Sequence, residues 1–65
     1  MKHDDVIALA VAMKTYGGSF VRALSHCFLT ADSTNLQKLL NTFPEYVEQY
    51  SKMAGIEDKK EGNHG

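Results

Sequence analysis

The sequence has few of the residues that hold very small domains together covalently or through a metal. Its 65 residues include a single cysteine, Cys27, so no disulfide can form within one chain. No cysteines and histidines are spaced as zinc ligands are. Because so short a chain buries only a modest apolar core, association with another chain is the remaining route to stability. We therefore expect one domain without metal or cofactor, assembled as a homo-oligomer.

An excess of one charge and a long apolar run are also missing. Seven basic and eight acidic residues give a net charge of −1, which argues against a protein that binds nucleic acid through its overall charge. The apolar run from Val6 to Met13 is about half the length that spans a bilayer, and the N-terminal residues lack a secretory pattern. We expect a soluble, cytoplasmic protein with neither a membrane nor nucleic acid as its partner.

Proline occurs only once, and the three glycines before residue 57 stand where they divide the chain. Gly17-Gly18 separates two apolar stretches, and we expect a left-handed glycine to end one helix there and Ser19 to cap the next. The only proline, Pro44, is expected to end a third helix and start a fourth. The cap-forming cluster Asp32 to Asn35 marks the remaining break, and Gly55 is expected to stop the last helix.

Apolar residues at helical spacing predict an all-α fold, a compact bundle of about four short helices. The first helix carries two apolar stripes. One stripe is Val6, Leu9, Ala10 and Met13; the other is Ile7 and Val11. Because one small domain cannot cover both, we expect the first stripe to face the chain's own core. The second stripe, Ile7 and Val11, is the expected oligomer interface, most simply of a dimer.

Each of the other helices carries one apolar stripe, which we expect to face the core. The second helix, expected from Ser19 to about Thr30, carries Phe20, Leu24, Cys27, Phe28 and Ala31, with Arg22, Ser25, His26 and Leu29 off that face. The third carries Leu36, Leu39, Leu40 and Phe43, and the fourth Tyr46, Val47, Tyr50 and Met53. We expect a single helical domain over residues 1–56 and a disordered polar tail over residues 57–65.

Three short motifs lie between residues 14 and 54. They are Tyr16-Gly17-Gly18-Ser19-Phe20-Val21, Ala31-Asp32 with Asn35, and Phe43-Pro44-Glu45-Tyr46 with a later Tyr50. As a set they resemble a group of small, largely uncharacterised helical proteins encoded by phages and prophages. The resemblance implies a phage setting, and therefore the host cytoplasm, but no particular reaction or ligand. Small phage proteins often act on host defence or regulation, which favours those roles.

The Gly17-Gly18 turn is the strongest candidate for a binding site. Free N–H groups at a helix start, the helix dipole and nearby cations are the components of an anion site. The expected ligand-binding residues are Tyr16, Gly17, Gly18, Ser19, Arg22 and Lys14. In a dimer, two such turns could line a shared cleft for a doubly anionic ligand such as a nucleotide signal. The alternative is a tight helix corner in which the glycines allow the backbones to approach closely.

No group of residues indicates catalysis. His26 and Cys27 are adjacent, but neighbours on a helix point about 100° apart and cannot readily share a proton. The favoured hypothesis is a non-enzymatic phage-type binding protein. Its most specific form is a counter-defence protein that sequesters an anionic, nucleotide-like host signal.

Two other binding roles remain open. One is an interaction module that grips a host protein through the tyrosine-bearing face of the fourth helix, with Tyr46 and Tyr50. The other is a helix-turn-helix regulator of DNA, because the third helix begins with residue types that contact bases and phosphates. These residues are Ser33, Thr34, Asn35, Gln37 and Lys38. Capping chemistry explains the first three without DNA.

Overall fold

The computed structural model describes residues 2–56, which form four α-helices and no strand. The helices are α1 (His3–Tyr16), α2 (Ser19–Thr30), α3 (Ser33–Thr42) and α4 (Pro44–Met53). The expected all-α, compact class is confirmed for these residues. The expected disordered tail, residues 57–65, lies outside the described residues and stays a prediction.

α1 supplies the larger part of the core. Its buried residues are Val6, Leu9, Ala10, Ala12 and Met13, and the expected inner stripe is therefore confirmed. Because α1 packs against both α2 and α4, its buried surface is wider than one stripe and extends to Ala12. Residues 2–56 cover Ile7 and Val11 only in part and leave 41% and 55% of their surfaces exposed.

The buried face of α2 is rotated from the expected one. Val21, Leu24, Ser25 and Phe28 are buried. Phe20 is 57% exposed and Cys27 is exposed, so their expected place in the core is wrong. Ser25 tolerates burial because its hydroxyl donates a hydrogen bond of 2.6 Å to the Arg22 carbonyl oxygen.

The corner between α1 and α2 depends on space, and the expected left-handed glycine is wrong. Gly17 and Gly18 have φ angles of −88° and −80°, which other residues also adopt. A Cβ atom at Gly17 would collide with the Val21 side chain and lie 2.6 Å from the Met13 carbonyl oxygen, whereas one at Gly18 would meet nothing within 4 Å. Ser19 is the first residue of α2 and does not cap it.

The later breaks form as the sequence predicts. Asp32 caps α3, accepting a hydrogen bond of 2.8 Å from the Asn35 N–H group, and Pro44 is the first residue of α4. Gly55 has a φ of 76°, and the Ile56 N–H group donates to the Ser51 carbonyl oxygen at 3.0 Å. This pattern is a Schellman motif, which ends α4 after its last turn.

α3 and α4 cover the core from outside. α3 has no buried residue, and the leucines of its expected stripe are half-buried. On α4, Tyr50 is buried, Tyr46 and Val47 are half-buried, and Met53 is 49% exposed, so its expected burial is wrong. The last two helices therefore close over a core made mainly by α1 and α2.

Candidate functional site

An open hollow of about 330 Å³ lies beside the corner between α1 and α2. It is lined by Lys14, Ser19, Arg22, Ala23, Ser25, His26 and Leu29, and we call it the cationic hollow. Its volume falls near the lower end of the range of small-molecule sites. Three residues of the expected anion site, Lys14, Ser19 and Arg22, thus come together on one surface.

The periodicity of α2 places most of these side chains. Ser19, Arg22 and His26 follow one another at intervals of three and four residues, so they lie along one side of the helix. Lys14 joins them from the last turn of α1, where a cation also interacts favourably with the negative end of the helix dipole. The tight turn at Gly17 determines how these two groups approach one another.

Positive charge in the cationic hollow is not balanced by carboxylates. Lys14, Arg22 and His26 line it, and no aspartate or glutamate does. Within residues 2–56 the only ion pair joins Lys52 to Glu48 on α4, with 3.6 Å between the nitrogen and the oxygen. Two of the five lysine and arginine side chains within residues 2–56 therefore share this surface without a carboxylate beside them.

The start of α2 adds partial positive charge to the same region. No side chain caps this helix, and its first internal hydrogen bond joins the Arg22 N–H group to the Gly18 carbonyl oxygen at 2.9 Å. The N–H groups of the three preceding residues have no partner inside the helix. These groups lie at the positive end of the helix dipole, which favours an anion.

The structure does not bring every expected site residue into the hollow. Tyr16, Gly17 and Gly18 do not line it, and Tyr16 is 64% exposed at the end of α1. Packing against Val21 accounts for Gly17 without a ligand. His26 and Leu29, in contrast, line the hollow and were missed. The sequence signal for His26 was its position one helical turn after Arg22, on the same side of α2.

A second hollow, of about 370 Å³, lies between α2 and α3. It is lined by Cys27, Thr30, Ala31, Asn35, Lys38, Leu39 and Thr42. Lys38 is its only cation. The Asp32 carboxylate caps the start of α3, the end that a DNA-reading helix would present to bases and phosphates. The charges around this hollow therefore suit an anionic ligand less well than those of the cationic hollow.

His26 and Cys27 face different surfaces. His26 lines the cationic hollow, whereas Cys27 lines the second one. Because the two side chains face different surfaces, they do not form a thiolate–imidazole pair. Within residues 2–56 no group of three or more histidine, cysteine, aspartate or glutamate side chains is placed to hold a metal ion.

Four aromatic side chains form a cluster that links α2 to α4. The ring centroid of Phe20 lies 6.2 Å from that of Phe43 and 6.1 Å from that of Tyr46, and Tyr46 lies 6.4 Å from Tyr50. Tyr50 is buried and Phe20 is the exposed outer edge. The tyrosine-bearing face of α4 is therefore turned towards the core, and Phe20 is the part of the cluster that solvent reaches.

Comparison of the chain with protein families, with curated proteins and with solved structures found no match. In the part of the chain that the structure describes, none of the helices combines the length and the apolar character needed to cross a membrane.

Proposed function

We propose that this protein is a non-enzymatic binding protein that holds an anionic, nucleotide-like ligand in the cationic hollow. The observation that supports this role is the convergence of Lys14, Arg22 and His26 on one hollow without a carboxylate. Paired cations usually serve the fold, but neither Lys14 nor Arg22 makes an ion pair within residues 2–56. Their charge is therefore available to an external anion.

Each lining group has a distinct role in this proposal. The Arg22 guanidinium donates two parallel hydrogen bonds to a phosphate, and the Lys14 ammonium contributes a point charge. The Ser19 hydroxyl and the free N–H groups of α2 donate to the remaining phosphate oxygens. Ala23 and Leu29 offer apolar surface to a base or sugar. Tyr16 does not line the hollow, so its side chain would have to move towards the ligand to stack on a base.

The biological setting comes from the resemblance to phage-encoded proteins. In that setting the ligand is a nucleotide signal of host defence, and holding it suppresses the defence. Sequestration requires affinity and no catalysis, which suits a chain of 65 residues.

A homodimer through Ile7 and Val11 completes the proposal. Ile7, Val11 and Lys14 follow one another at intervals of four and three residues, so they lie on one side of α1. A second copy packed on the two apolar residues would therefore lie beside Lys14. The edge of the cationic hollow would then be deepened by the partner chain, which would exclude water from the bound anion.

A thermal-shift screen with cyclic dinucleotides, nucleotides and ADP-ribose tests the proposal. A ligand at about a hundred times its Kd stabilises a protein by about 2.7 kcal/mol. For a domain of this size, that raises Tm by roughly 10–20 °C. Arg22→Glu should abolish the shift, whereas Lys38→Glu, the same charge reversal in the second hollow, should preserve it. Failure of every probe to raise Tm, or an undiminished shift in Arg22→Glu, contradicts the proposal.

The exposed edge of the aromatic cluster favours a second candidate, binding to a host protein. Phe20 extends a half-buried surface made by Phe43 and Tyr46, and aromatic side chains are enriched at interface hot spots. Retention of one host protein by the wild-type chain but not by Phe20→Ser would favour this role. Equal retention by both chains would contradict it.

A further inference from the structure

α1 carries an outward stripe of exposed residues with one charge at each end. The members of this α1 stripe are Asp4, Ile7, Val11 and Lys14. They follow one another at intervals of three, four and three residues, so they lie on one side of the helix. The fully buried Leu9 and Met13 lie on the opposite side. The stripe therefore has an acid in the first turn, two apolar residues in the middle and a base in the last turn.

The α1 stripe is complementary to itself when two copies of the helix lie antiparallel. Asp4 and Lys14 lie five residues to either side of position 9, and Ile7 and Val11 lie two residues to either side of it. A two-fold axis at this level sets Asp4 of each chain opposite Lys14 of the other. It also sets Ile7 opposite Val11. A parallel pair would instead set each charge opposite its own copy, and like charges repel.

We propose that the partner of the α1 stripe is a second copy of this chain, bound antiparallel, with the Asp4 carboxylate of each chain paired to the Lys14 ammonium of the other. This inference rests on the homodimer of the proposed function and assigns its orientation and register. Ile7 and Val11 form the apolar centre, and the charges at the rim select the register. Neither charged group makes an ion pair within residues 2–56, and a second copy provides a partner for both.

The proposed pairing brings a residue of the second copy to the cationic hollow. Lys14 belongs both to the α1 stripe and to the lining of the hollow. Asp4 of the second copy would therefore lie at the edge of the hollow and share Lys14 with a bound anion. Since an ammonium group has three donors, Lys14 can contact the carboxylate and a phosphate together. Arg22 does not belong to the stripe and stays the main phosphate contact.

Analytical ultracentrifugation of charge-reversed variants at low salt tests the inference, because salt screens exposed charges. Asp4→Lys and Lys14→Asp each set like charges against one another at both ends of the antiparallel pair. Each variant alone should raise the dimer Kd about five- to thirtyfold, as two exposed pairs change from attraction to repulsion. An equimolar mixture of the two variants restores opposite charges at both ends and should recover a dimer with about the wild-type Kd.

Asp5→Lys is the matched control. It makes the same charge reversal in the first turn of α1 and loses the same kind of interaction with the helix dipole. Asp5 points about 100° away from Asp4, so its reversal should leave the dimer Kd unchanged. Asp4→Asn removes the attraction without adding repulsion. It should raise Kd about two- to fivefold, which keeps the test decisive if circular dichroism shows that a charge reversal unfolds the chain.

Three results would overturn the inference. An effect of the Asp4 variants no larger than that of Asp5→Lys, or a mixture that dimerises no better than its components, contradicts the antiparallel register alone. A wild-type chain that stays monomeric at micromolar concentration contradicts the homodimer of the proposed function as well. Ligand binding in the cationic hollow is measured separately by the thermal-shift screen, so its failure is distinguishable from both.

Discussion

The first and second halves of the described chain differ in what they bury. α1 and α2 supply eight of the nine buried apolar residues, α4 supplies the ninth, Tyr50, and α3 supplies none. The cationic hollow also belongs entirely to α1 and α2. The helices that carry most of the core are thus the helices that position the candidate site, and a rigid support of this kind suits a site that works by pre-formed geometry.

The two halves also differ in charge. α1 and α2 bring Lys14 and Arg22 to one hollow that has no carboxylate, because the acidic residues of this half, Asp4 and Asp5, lie in the first turn of α1. The second half carries Asp32, Glu45 and Glu48 beside Lys38 and Lys52. The ion pair of Lys52 with Glu48 neutralises a cation there. This separation of charge is the reason why an anion is expected at the first half of the molecule and not at the second.

Truncation of core leucines should show the largest difference between the halves. Leu9→Ala removes a fully buried side chain of α1 and should lower the free energy of unfolding by about 2–5 kcal/mol, enough to unfold most of the population. Leu39→Ala removes a half-buried side chain of α3 and should cost about 1–2 kcal/mol. Urea denaturation followed by circular dichroism measures both. Equal losses would contradict a core concentrated in α1 and α2.

Glycine substitution at the corner should have an intermediate effect. Gly17→Ala places a Cβ against Val21 and Met13 and should cost about 1–3 kcal/mol through overpacking. Gly18→Ala meets nothing within 4 Å and should change stability by about 0.5 kcal/mol or less. The same denaturation experiment compares them. If Gly18→Ala were the more damaging variant, the corner would depend on backbone conformation and not on close approach.

The two glycines show which features of the corner can be predicted from the sequence and which cannot. A glycine pair after an apolar stretch correctly predicted the place of the break and the start of α2 at Ser19. It could not show whether Gly17 was needed for its φ angle or for space, because the atoms that would collide with its Cβ include a side chain of the next helix. The Asp32 cap was predictable because its partner, the Asn35 N–H group, lies three residues away. The start of α4 at Pro44 was predictable because proline suits the first turn of a helix.

The rotation of α2 had no local signal. The expected stripe contains Phe20 and the observed buried face contains Val21, while both contain Leu24 and Phe28. Because Phe20 and Val21 are adjacent, their side chains point about 100° apart around the helix. Packing against α1 decides between them and buries Val21. For the same reason the lining of the cationic hollow could be predicted only in part. Arg22 and Lys14 flank the turn in sequence, whereas His26 joins them through the helical repeat and the approach of α1.

Substitutions of exposed apolar residues should have the smallest effect on the folded monomer. They compare the exposed surface of α1 with that of α4 as a dimer interface. Ile7→Asp should convert the proposed dimer into a monomer of 7.2 kDa, because the charge cannot be buried at an interface on α1. Met53→Asp changes a similarly exposed residue of α4 and should leave the dimer intact. Light scattering coupled to size-exclusion chromatography measures the mass. A wild-type chain that is already monomeric at micromolar concentration, or dissociation by Met53→Asp alone, would contradict the interface on α1.

The most direct test of the central proposal is to locate a bound ligand by nuclear magnetic resonance. Titration of isotope-labelled protein with cyclic di-AMP should shift the backbone amide signals of Ser19, Arg22 and His26, the residues that line the cationic hollow on α2. The signals of Asn35 and Lys38, which line the second hollow, should stay in place. Shifts confined to the second hollow, or no shift in any signal at millimolar ligand, would contradict an anion site between α1 and α2.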